Sequence, residues 1–298
     1  MKILLTGGTG FIGREYVEKN NNHEYSILTR DVSRAIDILG AQHSYLLSLS
    51  HVDISCFDAV INLAGEPIFS KRWSESQKRQ IINSRVSITD ELSKMILESK
   101  NPPGVFISAS AVGIYGFGQK GEINENSELN DSFSKEVCLK WEESALKSSK
   151  VTRVCIPRIG IVLGSNSLFL KQFGSLFNFF LGGYVGQGSQ YVNWVHLDDM
   201  LNIINWMLTN GSANGVYNSV SPHPSTSDEF YLSLSKALRK PIFLRYSDLI
   251  LNILFGEMAE LITKGDLIVP KRLLEEKYTF IYKDLDESLL SILDKTKN

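Results

Sequence analysis

The stretch Thr6-Gly7-Gly8-Thr9-Gly10-Phe11-Ile12-Gly13 constrains this chain more than any other part of it. It follows an apolar, strand-like run that begins at Lys2 and opens a helical pattern that continues to Lys19. Each glycine at this spacing has its own physical reason. Gly7 permits a tight turn, Gly10 lets backbone amides reach a ligand with no side chain in between, and Gly13 lets the helix pack closely on the strand. The unpaired amides of the first helical turn and the helix dipole then favour negative charge. Because the motif sits between a strand and a helix, it is read as a cradle for the pyrophosphate of a dinucleotide. Thr9 belongs to the same cradle. Phe11 and Ile12 are counted with the cofactor-binding segment, their side chains expected in the core.

Short apolar or β-branched runs recur at 2–6, 25–29, 59–63, 105–108 and 151–156, separated by helical patterns at 11–19, 74–99 and 133–147. That alternation predicts an α/β fold, a Rossmann-type doubly wound parallel sheet with helices on both faces. Past Gly164 the character changes to a Phe- and Gly-rich stretch, then a run at 192–199 and helical patterns at 200–208 and 227–238. The expected division is a dinucleotide-binding core at 1–165, to which later segments could add strands, and a smaller C-terminal, substrate-side lobe at 166–298. The apolar tail at 249–264 is interrupted by Glu257 and Glu260, so it is expected to pack on that lobe rather than span a membrane.

The 298 residues carry a net charge of −2 with mixed signs, which leaves no basic face for a nucleic-acid backbone. With no leader and no apolar run of ~18 residues, the expectation is a cytoplasmic protein without membrane contact. The 3 cysteines show neither disulfide nor zinc spacing, and the 5 histidines lack a metal-ligand pattern, so no metal is expected. Cys56 and Cys155 are expected to be buried thiols.

The second strand ends in Thr29-Arg30, where NAD-selective proteins carry an acidic residue for the ribose hydroxyl. A guanidinium can hold a 2′-phosphate, which a carboxylate would repel. NADP(H) is therefore preferred over NAD(H), with Arg34 nearby in sequence. Two qualifications stay open: Arg30 can be a solvated strand-end arginine, and Asp31 can turn inward.

With the glycine turn, Ile61-Asn62-Leu63-Ala64-Gly65 and Ser108-Ala109-Ser110-Ala111-Val112-Gly113-Ile114-Tyr115-Gly116, the chain resembles the extended short-chain dehydrogenases/reductases. More narrowly, Leu63-Ala64-Gly65-Glu66-Pro67-Ile68, Arg72-Trp73, Ser84-Arg85-Val86, the 158–164 run, Trp194-Val195-His196-Leu197-Asp198-Asp199 and the segments 256–261 and 269–272 resemble an atypical epimerase-family subgroup. The resemblance implies cofactor contacts from Leu63, Ala64 and Gly65, from Arg85, and from Gln80 and Val162. It also implies a Tyr and a Lys one helical turn apart, where the lysine makes the phenol a usable acid or base. Ser134 and Cys138 stand at those positions and Arg85 replaces the usual Asn, so the relay is missing.

Three residues are candidates for its work. Ser110 can polarise a substrate carbonyl or can bond local backbone. Cys138 can act if a cation lowers its pKa, with a passive buried thiol the favoured alternative. Tyr115 follows Ser110 but is better suited to substrate contact than to catalysis. Glu66, Gln187, Gln190, Trp194 and His196 are expected on the substrate side, although a cluster such as His196, Asp198 and Asp199 more often caps a helix, here with Asp198 or Asp199 at its N-terminus. Trp73 and Trp141 are expected to pack. Two functions follow: an NADP-dependent oxidoreductase or epimerase-like enzyme on a small carbonyl or hydroxyl compound, sugar nucleotides included, or a non-catalytic NADP(H)-sensing module acting through partners. Either is expected as a monomer or as a homodimer through the helices at 74–99 and 133–147.

Overall fold

A computed structural model describes residues 1–69, 71–179 and 181–294. Seven strands form the main sheet: β1 (Lys2–Thr6), β2 (Glu24–Leu28), β3 (Ser44–Leu46), β4 (Ala59–Asn62), β5 (Val105–Ser108), β6 (Arg153–Ile159) and β7 (Gly215–Ser219). Their order is β7-β6-β5-β4-β1-β2-β3, every pairing is parallel, and Ser110–Ala111 adds a short eighth strand beside β6. The order reverses between β1 and β4, the switch point at which doubly wound sheets bind ligands.

Eight helices matter to the site: α1 (Phe11–Lys19), α2 (Val32–Leu39), α3 (Glu75–Glu98), α4 (Phe133–Leu146), α5 (Leu168–Asn178), α6 (Leu197–Thr209), α7 (Ser227–Leu238) and α8 (Asp248–Phe255). Strand residues alternate between two cores. Ile3, Leu5, Ile27 and Ile61 face Tyr16 and Val17 of α1 and Met200 and Ile204 of α6, whereas Leu4, Val60 and Phe106 face Leu92 and Ile96 of α3. A strand buried on both faces must be apolar at nearly every position, which is why these runs were legible. α6 and β7 lie beyond residue 165 in the chain and still belong to the sheet layers.

A third core gathers Phe177 of α5, Phe230 and Leu234 of α7, Trp194, and Leu289 of the helix Leu285–Asp294. The apolar tail packs only in part. Leu251, Met258 and Ala259 are buried, while Leu249 and Ile253 face outward. Its two interrupting acids form ion pairs, Glu257 with Lys78 and Glu260 with Lys264. Among the described residues no helix is long and apolar enough to cross a membrane. Cys155 is buried as expected; Cys56 is exposed, because it ends a short 3-10 turn at the sheet's amino-terminal edge instead of entering a strand.

Candidate functional site

The glycine turn meets the end of β4 at closest approach. Gly7 has φ +73°, and a Cβ there would lie 2.5 Å from the Leu63 carbonyl carbon and oxygen. A Cβ on Gly13 would lie 2.3 Å from the Gly7 carbonyl oxygen. Gly10 caps α1 without any side-chain bond, whereas α2 to α8 each begin with a side chain that accepts from a first-turn amide. A helix start left uncapped beside a crowded glycine turn is the donor set a pyrophosphate needs. Behind it, Thr6 Oγ1 donates to Asn62 Oδ1 (2.6 Å), and Asn62 Nδ2 donates to Thr89 Oγ1 (2.8 Å) and Ser108 Oγ (3.1 Å). That buried network ties the carboxyl ends of β1, β4 and β5 together. The residues present therefore fit a dinucleotide.

At the ribose end, the Asp31 carboxylate accepts the Arg34 amide (3.0 Å) and so caps α2. Thr29 Oγ1 is bound within the same turn, accepting the Asp31 amide. Arg30 is exposed and has no hydrogen bond or ion pair among the described residues.

A cleft of about 360 Å³ lies beyond the ends of β5 and β6. Phe11 and Val162 form its cofactor-side wall, Ser134, Cys138 and Trp141 of α4 its floor, and Tyr191, Lys264 and Asp266 its far end. Phe11 reaches across to Gly164, where a Cβ would sit 2.9 Å from its ring. Arg85 enters over Gly65, donates to the carbonyls of Glu66 and Ile81 (both 3.0 Å), and stacks 5.2 Å above the Trp141 ring. Trp141 is thus a wall of the cleft as well as a packing residue, and its buried indole N–H has no partner among the described residues. Ile12 is half-buried and packs against the core, and Glu66 lies beside Arg85 with its amide donating to Ser84. Gln80 is exposed on α3, away from the face that carries Arg85.

The candidate catalytic residues sit deeper than the sequence suggested. Ser110 is buried, and its hydroxyl donates to Glu142 Oε1 (2.7 Å) rather than to local backbone or open space. Glu142 is clamped by Arg158, Nε to Oε1 and Nη2 to Oε2, each at 2.9 Å. Arg158 Nη1 also donates to the Tyr115 hydroxyl (2.8 Å), which in turn donates to Asn218 Oδ1 (2.7 Å). Tyr115 is fully buried, and its hydroxyl is taken up by Arg158 and Asn218. Burial raises its pKa against the opposing effect of Arg158. Burial also opposes the charge on Arg158, but bonding and attraction from Glu142 outweigh it and leave the guanidinium above its ordinary range.

Cys138 lines the cleft, yet burial and the Glu142 charge push its thiol up to about 11, outweighing the nearby Arg85. It is a protonated thiol at neutral pH, not an activated thiolate. Ser134, at the position of the usual tyrosine, faces Gly113 across the cleft edge and has no hydrogen bond among the described residues.

Most of the expected substrate-side residues are structural. His196 Nδ1 accepts the Asp198 amide (3.0 Å) and caps α6, its ring lying 3.8 Å from that of Tyr282 and its Nε2 beside Ser291 Oγ. The cap is the histidine itself, while Asp199 accepts the amides of Ile281 and Tyr282. Trp194 is buried and donates to Ser225 Oγ, and the Gln190 amide bridges Gly188 and Val185 within its own loop. Gln187 is exposed beside Gln119 and Ser189 on a pocket that shares Tyr191, Lys264 and Asp266 with the far end of the cleft. Glu142 and Arg158 were not picked out from sequence. The available signs were a charged residue inside an apolar strand, and a glutamate one turn beyond Cys138 on the same helical face.

This geometry agrees with the comparisons. The sequence profile of the NAD dependent epimerase/dehydratase family matches residues 3–219. The chain belongs to that family. A second profile, of a domain of unknown function named DUF1731, matches residues 248–292. A chloroplastic epimerase family protein, the SDR39U1 homolog of Arabidopsis thaliana, is 37% identical over 98% of this chain and 87% of its own length. The epimerase family protein YfhF of Bacillus subtilis is 30% identical over 100% of this chain and 99% of its own. Among solved structures, human epimerase family protein SDR39U1 (isoform 2) with NADPH superposes with a TM-score of 0.91 at 28% identity, covering 99% of each chain. These three relatives align with the chain through its C-terminal region, which closes the far end of the cleft here.

Proposed function

We propose that this chain binds NADP(H) and acts as an oxidoreductase on a small carbonyl or hydroxyl compound without a tyrosine–lysine relay. The cleft carries the reading. It begins at Phe11 and Val162 beside the glycine cradle and continues to Tyr191 and Asp266, room that a protein holding only the cofactor has no need of. NADPH, when bound, supplies two electrons and one hydrogen to a carbonyl carbon, and the matching proton is drawn from water. The hydroxyl of Ser134 is free to donate a hydrogen bond to the substrate oxygen, and the charge on Arg85 stabilises negative charge developing there. The human neighbour bound to NADPH supports the choice of cofactor, as does the unpartnered Arg30.

Arg30→Ala is expected to weaken NADPH binding roughly tenfold, the effect of one exposed charge-assisted contact, and to leave NADH binding unchanged. Fluorescence titration of both cofactors measures it. Equal losses for the two would remove Arg30 from the phosphate site.

A second reading, a non-catalytic NADP(H)-responsive module, is favoured by one observation: Ser110 is locked to Glu142 and burial keeps the proton on Cys138, so neither is available as a base. Mixing NADPH-loaded protein with a carbonyl panel under single-turnover conditions separates the two. The enzyme reading expects carbonyl-dependent loss of nicotinamide absorbance, slowed on the order of tenfold in Ser134→Ala. Cofactor binding with no carbonyl-dependent oxidation favours the module.

A further inference from the structure

A second chamber of about 500 Å³ adjoins the reaction cleft between α5, α8 and the strand Gly183–Val185. The two cavities share Phe69 and Ile262 in their walls. None of the described residues lining the second chamber is charged. Its polar hydroxyls are already used internally, Tyr246 donating to the Leu181 carbonyl and Ser175 to that of Gln172. What remains is a wall of Phe173, Phe177, Leu251, Leu254 and Met258. Leu176, Leu254 and Phe255 of this lining stay exposed, so the chamber opens to solvent along an apolar face. A chamber of this size and lining takes up apolar matter.

We infer that the substrate carries a long hydrocarbon tail, which runs from the reaction cleft past Phe69 and Ile262 into this chamber. The inference deepens the oxidoreductase reading and rests on it for the reactive end: the carbonyl or hydroxyl head sits at Ser134 and Cys138, and the tail occupies the α5–α8 side. The two cavities lie side by side against Phe69 and Ile262, and that adjacency favours a tail over a separate ligand. Charge selects it over a nucleoside diphosphate. The cations that line the reaction cleft are Arg85 and Lys264; Arg85 is held by two backbone carbonyls and Lys264 by Glu260. A diphosphate extended into the second chamber would lose its hydration among phenylalanines with no opposite charge in reach.

The test uses the full chain with NADPH or NADP, n-alcohols from butanol to decanol as binding probes, and the matching n-aldehydes as substrates. Dissociation constants of the alcohols, read by calorimetry, are expected to fall about three- to fourfold per added methylene until the chamber is filled. Leu176→Trp, at a half-exposed position on the chamber wall, is expected to abolish that gain for the long probes and spare butanol. Length-dependent alcohol binding with no aldehyde turnover upholds the tail site and overturns the oxidoreductase reading. Turnover of short carbonyls with affinity indifferent to chain length, or length dependence that persists in Leu176→Trp, overturns the tail site and leaves that reading standing. Tight UDP-glucose binding that alcohols do not displace also overturns it.

Discussion

Glu142→Ala is expected to destabilise the fold by about 3–5 kcal/mol, the cost of leaving a buried guanidinium without its carboxylate. Arg158 and Glu142 are both almost fully buried, and their paired bonds at 2.9 Å are the charge neutralisation available to either in that wall. The substitution also strips Ser110 of its acceptor. Against a total stability of roughly 5–15 kcal/mol, the loss lowers the melting temperature by on the order of 10 °C. The control is Glu142→Leu combined with Arg158→Met, which removes both charges and fills the space. It is expected to recover most of the stability, since an apolar replacement of a buried pair is often neutral. Denaturant unfolding of the three proteins decides it. If the double variant is as unstable as Glu142→Ala, the damage lies in lost packing or in the Tyr115 bond rather than in the orphaned charge.

The same pair marks where sequence reading stopped. Most of the sheet was legible because buried parallel strands must be apolar throughout, and the starts of α3, α4 and α7 were legible because Ser74, Ser132 and Thr226 announce them, whereas α2 and α5 were not read. Two strands escaped: Ser44–Leu46 is three residues long and half-exposed, and Gly215–Ser219 carries Tyr217 and Asn218, whose polar groups are satisfied by distant partners. Ser110, Glu142, Arg158, Tyr115 and Asn218 form one chain of bonds, yet Tyr115 and Asn218 lie 103 positions apart. No local pattern encodes such a contact. His196, Trp194 and Gln190 were harder to place for the opposite reason. Gln190 lies in a loop and Trp194 and His196 lie in the short strand Trp194–His196, and each binds backbone or a side chain close by in the fold. Loop polarity suggested a ligand; local geometry had already used the donors and acceptors.

The glycine cradle was legible because its requirements are local, and that makes it separable by experiment. Gly13→Ala is expected to damage fold and binding together. Its Cβ would lie 2.3 Å from the Gly7 carbonyl oxygen and 2.8 Å from the Gly8 Cα, both backbone atoms that cannot move without opening the turn. Gly10→Ala is a different substitution. Its Cβ meets one neighbour, the Gly7 oxygen at 3.1 Å, and its φ of −76° suits any L-residue. The fold should therefore tolerate it, with a melting temperature close to that of the parent. The new methyl instead occupies the approach through which the α1 amides would reach a pyrophosphate. NADPH affinity is expected to fall at least on the order of 100-fold, since several charge-assisted backbone bonds lengthen at once. Thermal melts without cofactor and fluorescence titration with it measure the two effects apart. A Gly10→Ala protein that melts like the parent and still binds NADPH with parental affinity would place the phosphates elsewhere, and the uncapped start of α1 would then lose its explanation.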